Sequence, residues 1–209
     1  MEYQKELEKA LKELREEKKR KFDQTVDLVI NLKKFDLKKN QSSFLVNLPN
    51  KFRDKKVCAF LEVKNKDIDT ITPKDFKKYS DKKELKKLVK KYDFFISQAN
   101  LMPKVATTFG RALGPAGKMP SPQLGILTDV NQKEIDEIKE KINKNVKIRI
   151  KEPCLKLAVG KESMDDEKII ENIGSIYDEI LKFLPLGKEN IKNIKVKFTM
   201  TKPKKILVD

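Results

Sequence analysis

The sequence predicts two domains, an α+β domain split between the two ends of the chain and an α/β domain inserted into it. Three observations lead to this prediction. The 209 residues are 38% hydrophobic, which is enough apolar material for two small cores. Apolar runs alternate with helical patterns in the middle of the chain, as in a unit with a largely parallel sheet. The strand patterns on either side resemble each other in type. We therefore assign 1–55 and 150–209 to the split domain and 56–149 to the inserted domain.

The first segment of the split domain is predicted to hold one helix and two strands. Apolar residues at i, i+3, i+4 and i+7 indicate an amphipathic helix over 2–20. TVDLVINL (25–32) is predicted to be a strand, and FLVNLP (44–49) a second one. The polar stretch 50–56 is the expected crossing into the inserted domain. The apolar face of the helix consists of Leu7, Ala10, Leu11 and Leu14.

The inserted domain is predicted to alternate strands and helices. VCAFLEV (57–63) is a continuous apolar run bounded by charge, which is typical of a buried strand. Asp129 or Asn131 is the expected N-cap of a later helix. Further predicted strands are 93–97, 125–128 and 146–150, and the predicted helices are 81–91, about 100–109 and 131–143.

The last segment returns to the pattern of the split domain. CLKLAVG (154–160) is a predicted strand, and residues 165–184 form a long amphipathic helix with one isoleucine-rich face. IKNIKVKFTM (191–200) alternates like a half-solvated strand. The chain then closes on KKILVD.

The charge of the chain indicates the class of partner. It carries 48 Lys and Arg against 32 Asp and Glu, a formal net charge of +16, which favours nucleic acid or, less often, an anionic membrane. No apolar run reaches the roughly 18 residues that span a bilayer, and no strongly amphipathic basic helix with Trp or Phe anchors is present. The N-terminal segment lacks the apolar region of a signal peptide. We therefore predict RNA as the partner, no membrane, and a cytoplasmic location.

Catalytic and metal chemistry find little support in the sequence. The chain has no histidine, so neither a Ser-His-Asp arrangement nor a Cys/His zinc site is available. Cys58 and Cys154 each lie in apolar runs, where small buried side chains are expected. Adjacent carboxylates fall on predicted helix faces or at helix starts, where capping explains them. We predict no catalytic residue, no metal and no cofactor.

The segment from Thr107 to Gly125 is rich in glycine and proline. It fails as a P-loop, since Met119 follows Lys118 where Ser or Thr should stand, and Ala112 replaces the first glycine. The dinucleotide fingerprint fails too, because the glycines are spaced four apart. We predict a loop stiffened by three prolines, with a positive lip that includes Lys118.

The run KKRKF (18–22) joins basic residues to an aromatic ring just before a strand. One interpretation is a charged helix end. The other is a nucleic-acid contact, in which the basic side chains meet phosphates and Phe22 stacks on a base or acts as a wedge.

Several segments, taken in order, resemble the large-subunit ribosomal protein L-one family of the archaeal or eukaryotic type. They are KRKFDQTVDLVINLKKFD (19–36), LPNKFRDKKVCAFLEV (48–63), LGPAGKMPSPQLG (113–125), AVGKESM (158–164) and KFTMTKP (197–203). The resemblance implies a ferredoxin-like split α+β domain and a Rossmann-like α/β insertion.

The resemblance also implies a function without catalysis. A family member binds a helix-and-loop region of large-subunit ribosomal RNA and forms a stalk beside the exit site, next to other large-subunit components. Its further implied partners are exit-site tRNA, whose release it assists, and its own mRNA, whose translation it represses. The alternatives are a non-ribosomal RNA-binding regulator and a nucleotide-dependent enzyme that uses the inserted domain.

By the same resemblance, the rRNA contacts come mainly from the split domain. Met200 is expected to pack on a ribose or base edge, and Thr199 to donate to a 2′-OH. Thr201 stands where the family's Thr-Met-Gly turn has glycine, which places the shape of that turn in question. The full implied set is Lys21, Phe22, Thr25, Lys161, Ser163, Thr199, Met200 and Thr201.

Overall fold

Two units, one of them split in sequence, make up the chain in the computed structural model. Unit 1 comprises Met1–Arg53 and Lys144–Asp209, and unit 2 comprises Asp54–Asn143. Unit 1 contains antiparallel strands with helices, and unit 2 contains a parallel sheet with helices. The predicted combination of α+β and α/β architecture is therefore confirmed. The structure describes residues 2–17, 20–36, 43–122, 124–127, 132–150 and 152–206.

The elements follow one another as helices α1 to α5 and strands β1 to β10. The helices are α1 (Glu2–Glu16), α2 (Lys82–Lys91), α3 (Met102–Ala116), α4 (Gln132–Lys144) and α5 (Asp166–Phe183). The strands are β1 (Thr25–Leu32), β2 (Ser43–Asn47), β3 (Val57–Phe60), β4 (Asp69–Ile71), β5 (Phe94–Gln98), β6 (Ile126–Leu127), β7 (Asn145–Arg149), β8 (Cys154–Lys161), β9 (Ile191–Phe198) and β10 (Lys204–Ile206).

The main sheet of unit 1 is antiparallel, in the order β10-β9-β1-β8. Every second residue of β1 is buried, as the alternation of apolar and polar residues predicts. α1 and α5 cover this apolar face, and their leucines and isoleucines share one core with it. The opposite face carries polar residues of the strands that are half-buried, so this side of the sheet is partly open to solvent.

A second, two-stranded sheet also belongs to unit 1. The strand pattern at 146–150 is predicted to belong to the inserted domain, but β7 pairs antiparallel with β2. The reason is packing: Val46 and Ile148 are fully buried in the unit 1 core, and Phe44 stacks on Phe183 with ring centroids 4.4 Å apart. The compact units accordingly divide at Asn143 and not at residue 149.

Unit 2 is built on a parallel sheet in the order β4-β3-β5-β6. Its core holds a cluster of aromatic rings in which Phe109 lies 4.9 Å from Phe60 and 5.0 Å from Phe76. β3 ends at Phe60, three residues earlier than predicted, and β4 was not predicted, because three residues are too few to show a period. The thiol of Cys58 is buried in this core, and burial raises its pKa to about 12. Cys58 is therefore a packing residue, while Cys154 is half-buried at the start of β8.

The prediction of a loop from Thr107 onward is wrong for its first ten residues. α3 continues to Ala116, because Val105, Phe109 and Leu113 bury one face of the helix completely. The helix ends where Gly117 adopts a φ of +72°, the left-handed conformation that glycine allows at a C-terminal cap.

Other helix predictions differ in detail. α1 ends at Glu16 rather than 20, since no apolar residue after Leu14 packs another turn against the core. The predicted caps Asp129 and Asn131 lie outside the described residues. Among the helices that the structure describes, none combines the length and apolar character needed to cross a bilayer.

Candidate RNA-binding site

Three chain segments meet at one end of the antiparallel sheet of unit 1. β1 starts there, while β8 and β9 end there, because both run antiparallel to β1. Thr25 pairs with Lys161, and the next residue of β1 pairs with Phe198. All the predicted contact residues fall in the segments 20–25, 161–164 and 199–202, which we call the strand-end surface.

Two large apolar side chains stand exposed on the strand-end surface. Phe22 is 51% exposed and Met200 is 57% exposed. Exposed aromatic and thioether groups of this kind can cover a base or a ribose. Their exposure fits the contact roles expected from the sequence.

The hydroxyl of Thr199 joins the ends of β9 and β1. It accepts a hydrogen bond from the Thr25 N–H at 3.0 Å and donates to the Thr25 carbonyl at 3.3 Å. If the Thr199 hydroxyl donated to a ribose 2′-OH, it would therefore have to give up its bond to the Thr25 carbonyl. In the structure Thr199 fixes the edge of the surface.

Asp23 organises the second segment of the surface. Its carboxylate accepts hydrogen bonds from the N–H and hydroxyl of Ser163, both at 3.0 Å, and pairs with the Lys161 ammonium at 3.3 Å. Partial burial raises the pKa of Asp23, but the bonds from Ser163 and Lys161 outweigh burial, and the net pKa is lowered. The ionised carboxylate thus holds both predicted residues in place.

Gln24 is a buried polar residue that sequence reasoning did not single out. It is 2% exposed, its side-chain oxygen accepts from the Met200 N–H at 3.1 Å, and its side-chain nitrogen donates to Glu162 at 3.1 Å. The backbone of Glu162 also donates to the Gln24 carbonyl at 2.8 Å. One amide therefore connects all three segments.

Arg15 of α1 was also missed, since it looks like any other charge on a polar helix face. Its guanidinium donates to the carbonyls of Glu162 and Met164 at 2.6 and 2.7 Å, and pairs with Asp166 at 2.7 Å. It ties the loop after β8 to α1. The clue in the sequence is that Arg15 is one of only five arginines in a chain dominated by lysine.

The turn after β9 closes at Thr201 without the positive φ that a glycine would allow. The hydroxyl of Thr201 accepts from the Phe198 N–H at 2.9 Å and contacts the Phe198 carbonyl at 3.3 Å. Its φ is not positive; among the described non-glycine residues only Lys34 has a positive φ. The turn also has the backbone bond from the Thr201 N–H to the Phe198 carbonyl at 3.2 Å. The side chain thus adds a hydrogen bond at a position where the resemblance leads us to expect a glycine.

Basic residues continue from the strand-end surface onto the open face of the sheet. Lys195 of β9 and Lys156 of β8 flank Val29, and Lys205 of β10 lies beside Lys195. Lys197 lies opposite Asp27. Burial raises the pKa of Asp27, and Lys197 partly offsets this effect. The alternation of lysines in KNIKVKF could have indicated this basic face.

The arrangement is suited to binding rather than to catalysis. Within the described parts of the chain, no group of three or more His, Cys, Asp or Glu residues could hold a metal ion. The strand-end surface instead combines exposed apolar side chains, hydroxyls and cations, which are the groups that contact RNA bases, riboses and phosphates.

The chain is similar in sequence to known ribosomal proteins. The model of the ribosomal protein L1p/L10e family matches residues 14–202. The large ribosomal subunit protein uL1 of Nanoarchaeum equitans is 37% identical over 91% of this chain and 94% of its own length. The uL1 protein of Methanothermobacter thermautotrophicus is 36% identical over 94% of this chain and 96% of its own. That of Thermofilum pendens is 38% identical, with coverages of 96% and 92%.

Proposed function

The chain belongs to the ribosomal protein L1p/L10e family, whose members are structural and not enzymatic, and we propose that its strand-end surface grips large-subunit ribosomal RNA. The observation that carries the proposal is the convergence of three segments on two exposed apolar side chains, Phe22 and Met200. In this role the protein is a ribosome-bound component of the large subunit, next to other subunit proteins.

The contacts divide by chemistry. Lys21 is exposed beside Phe22, and Lys161 is held at the start of the next segment, so both can meet phosphates. Phe22 and Met200 supply apolar area against bases or riboses. The hydrogen bonds of Asp23 and Gln24 hold these groups in place before RNA arrives, which lowers the entropy cost of binding.

The proposal is tested by filter binding with a fragment of the rRNA stalk and with random RNA of the same length, over a range of salt concentrations. We expect preference for the stalk fragment at physiological salt. Phe22→Ala and Met200→Ala should each weaken stalk binding about tenfold, the effect of losing one stacking or packing contact. Lys161→Ala should reduce the slope of log K against log salt by about one.

Leu186→Ala is the matched control. Leu186 is 52% exposed, a fraction similar to that of Phe22, but it lies near the opposite end of β1. Four residues after it, the Asn190 carbonyl accepts a hydrogen bond from the Lys33 N–H, just beyond that end of the strand. This substitution should leave affinity unchanged. Equal binding of stalk and random RNA would overturn the proposed function. If Leu186→Ala weakened binding as much as Phe22→Ala and Met200→Ala do, the site assignment would be overturned.

We further propose that the same surface binds the protein's own mRNA and thereby represses translation, as the family resemblance implies. A single contiguous surface predicts that mRNA leader and stalk rRNA compete. Simultaneous binding of both RNAs would contradict shared use of the surface. Contact with exit-site tRNA and help in its release stay predictions from the resemblance.

The two units are proposed to act as two domains, with RNA gripped by unit 1. The alternative of a nucleotide-dependent enzyme that uses the inserted domain loses support, because the glycine-rich segment fails as a P-loop and its first ten residues belong to α3. A non-ribosomal RNA-binding regulator would bind its target without preferring stalk rRNA, so the same filter-binding assay separates the two.

A further inference from the structure

A groove of about 750 Å³ runs between α2 and α3 of unit 2. Its floor is aliphatic: Leu85 and Val89 of α2 and Ala112 of α3 line it and are half-buried. Its rims are basic, and their cations are Lys82, Lys86, Lys90 and Arg111.

The three rim lysines form a regular row. They are spaced i, i+4 and i+8 along α2, so they share one helix face. Each step corresponds to a rise of about 6 Å, and the row spans about 12 Å. Arg111 extends the positive charge to α3. The groove thus offers a repeating charge pattern of helical spacing.

The charge of this groove is not neutralised within the described residues. None of the four rim cations makes an ion pair or a side-chain hydrogen bond with another described residue. Other lysines of α2 do: Lys87 pairs with Glu84 at 2.7 Å, and Lys91 approaches Asp69 at 3.7 Å. The sequence of α3 contains no Asp or Glu at all. Positive charge is therefore concentrated on the side of the aliphatic floor.

We propose that this groove binds an acidic amphipathic helix of a partner protein. The apolar face of such a helix would cover Leu85, Val89 and Ala112, as helices do in apolar grooves. Carboxylates at i and i+4 on its flank would match the spacing of the lysine row. This inference goes beyond RNA binding and does not depend on it, since it concerns unit 2 alone.

The groove is less suited to RNA. Binding of single strands relies on aromatic rings on which bases stack. Tyr79 is the one aromatic residue among the described lining residues, and it is half-buried with its ring 5.7 Å from the buried Phe109. Phosphates could reach the cations, but the aliphatic floor would then face polar ribose. An acidic amphipathic peptide helix can cover the aliphatic floor and pair with the basic rims at the same time.

The test is fluorescence anisotropy on the full chain with designed peptide helices. The probe carries Glu at every fourth position and Leu beside each Glu. One control peptide has Gln in place of Glu, and another has Ser in place of Leu. We expect the probe to bind about tenfold more tightly than either control, because several ion pairs and the apolar face are both needed.

Protein variants locate the site. The double variant Lys86→Glu/Arg111→Glu should weaken probe binding by about tenfold or more. The matched control Lys77→Glu/Lys83→Glu has the same change in net charge, at exposed positions outside the groove, and should bind the probe as the unaltered protein does. Circular dichroism of both variants checks that α2 and α3 are retained.

Three outcomes would overturn the proposal. Equal losses in the two double variants would show a general charge effect. Equal binding of the Ser peptide would show that the aliphatic floor takes no part. If a short oligouridylate displaced the probe, and if binding of the oligouridylate itself required Lys86 and Arg111, the groove would be an RNA site instead.

Discussion

The side-chain oxygen of Gln24 accepts a hydrogen bond from the backbone N–H of Met200 at 3.1 Å, across 176 positions in the sequence. The other end of the same amide donates to Glu162. Since Gln24 is 2% exposed, water does not compete well for either bond. The exposed Met200 side chain therefore projects from a backbone that a buried residue holds in place.

Gln24→Ala should loosen the contacts between the segments of the strand-end surface. Loss of one buried amide leaves the Met200 N–H without its partner, so the free energy of unfolding should fall by about 1–3 kcal/mol. Affinity for stalk rRNA should fall as well, even where the variant is fully folded, because the Met200 backbone and the Glu162 side chain lose the amide that positions them. Denaturant unfolding and filter binding measure the two effects.

Asn190→Ala controls for stability loss alone. Asn190 is 1% exposed and bridges Leu186 and the carbonyls of Lys33 and Lys34, beyond the far end of β1. The Asn190→Ala substitution should destabilise the protein to a degree similar to Gln24→Ala and leave RNA affinity unchanged below the unfolding transition. If Asn190→Ala weakened RNA binding as much as Gln24→Ala, the positioning role of Gln24 would be refuted.

Thr201→Gly should destabilise the protein even though glycine is the residue expected in this turn. The substitution removes the bond between the Thr201 hydroxyl and the Phe198 N–H and adds backbone freedom to the unfolded chain. The expected loss is about 1 kcal/mol in the free energy of unfolding. Thr201→Ser keeps the hydroxyl and should lose less. A glycine variant more stable than the serine variant in thermal unfolding would contradict this account of the turn.

The strands that form the strand-end surface could be predicted from the sequence. In 25–32 and 191–200 apolar and polar residues alternate, because one face of the sheet meets α1 and α5 and the other meets solvent. Phe22 could be picked out because it follows a basic run outside any apolar pattern. Local sequence patterns are enough to predict a strand or helix where its buried residues recur with the period of that element.

The polar contacts behind the surface could not be predicted in this way. Gln24 and Arg15 bond to residues 138 to 176 positions away, and no local pattern reports such pairs. The course of α3 was missed for a related reason. Gly110 and Gly114 argue against a helix by propensity, yet the burial of Phe109 and Leu113 in the unit 2 core outweighs that preference.

Lys118→Met should destabilise unit 2, because the Lys118 ammonium is used inside the unit and does not form the positive lip predicted from the sequence. Its ammonium donates to the carbonyls of Val89 and Tyr92, both at 2.7 Å, at the C-terminal end of α2. A cation there satisfies carbonyls that the helix leaves unpaired, and its loss should cost about 1–2 kcal/mol. Hydrogen exchange should become faster in the last turn of α2. Lys104→Met, at an exposed position of α3, should have no such effect, and equal exchange in both variants would contradict the capping role.

Asp27→Asn should stabilise the protein at neutral pH, with the gain disappearing in acid. Burial raises the pKa of Asp27 on the open sheet face, and Lys197 offsets this only in part. The folded state therefore binds the Asp27 proton more tightly than the unfolded chain, so ionisation lowers stability as the pH rises past the unfolded pKa of about 3.9. Asparagine cannot ionise, so its advantage should be complete above the folded pKa, shrink as the pH falls through that value, and vanish below the unfolded pKa.

Thermal unfolding of the Asp27→Asn variant and the unaltered protein across this pH range measures the difference in stability. A variant that is less stable than the unaltered protein at neutral pH would mean that the attraction of Lys197 outweighs burial, and that Asp27 helps to hold β1 against β9.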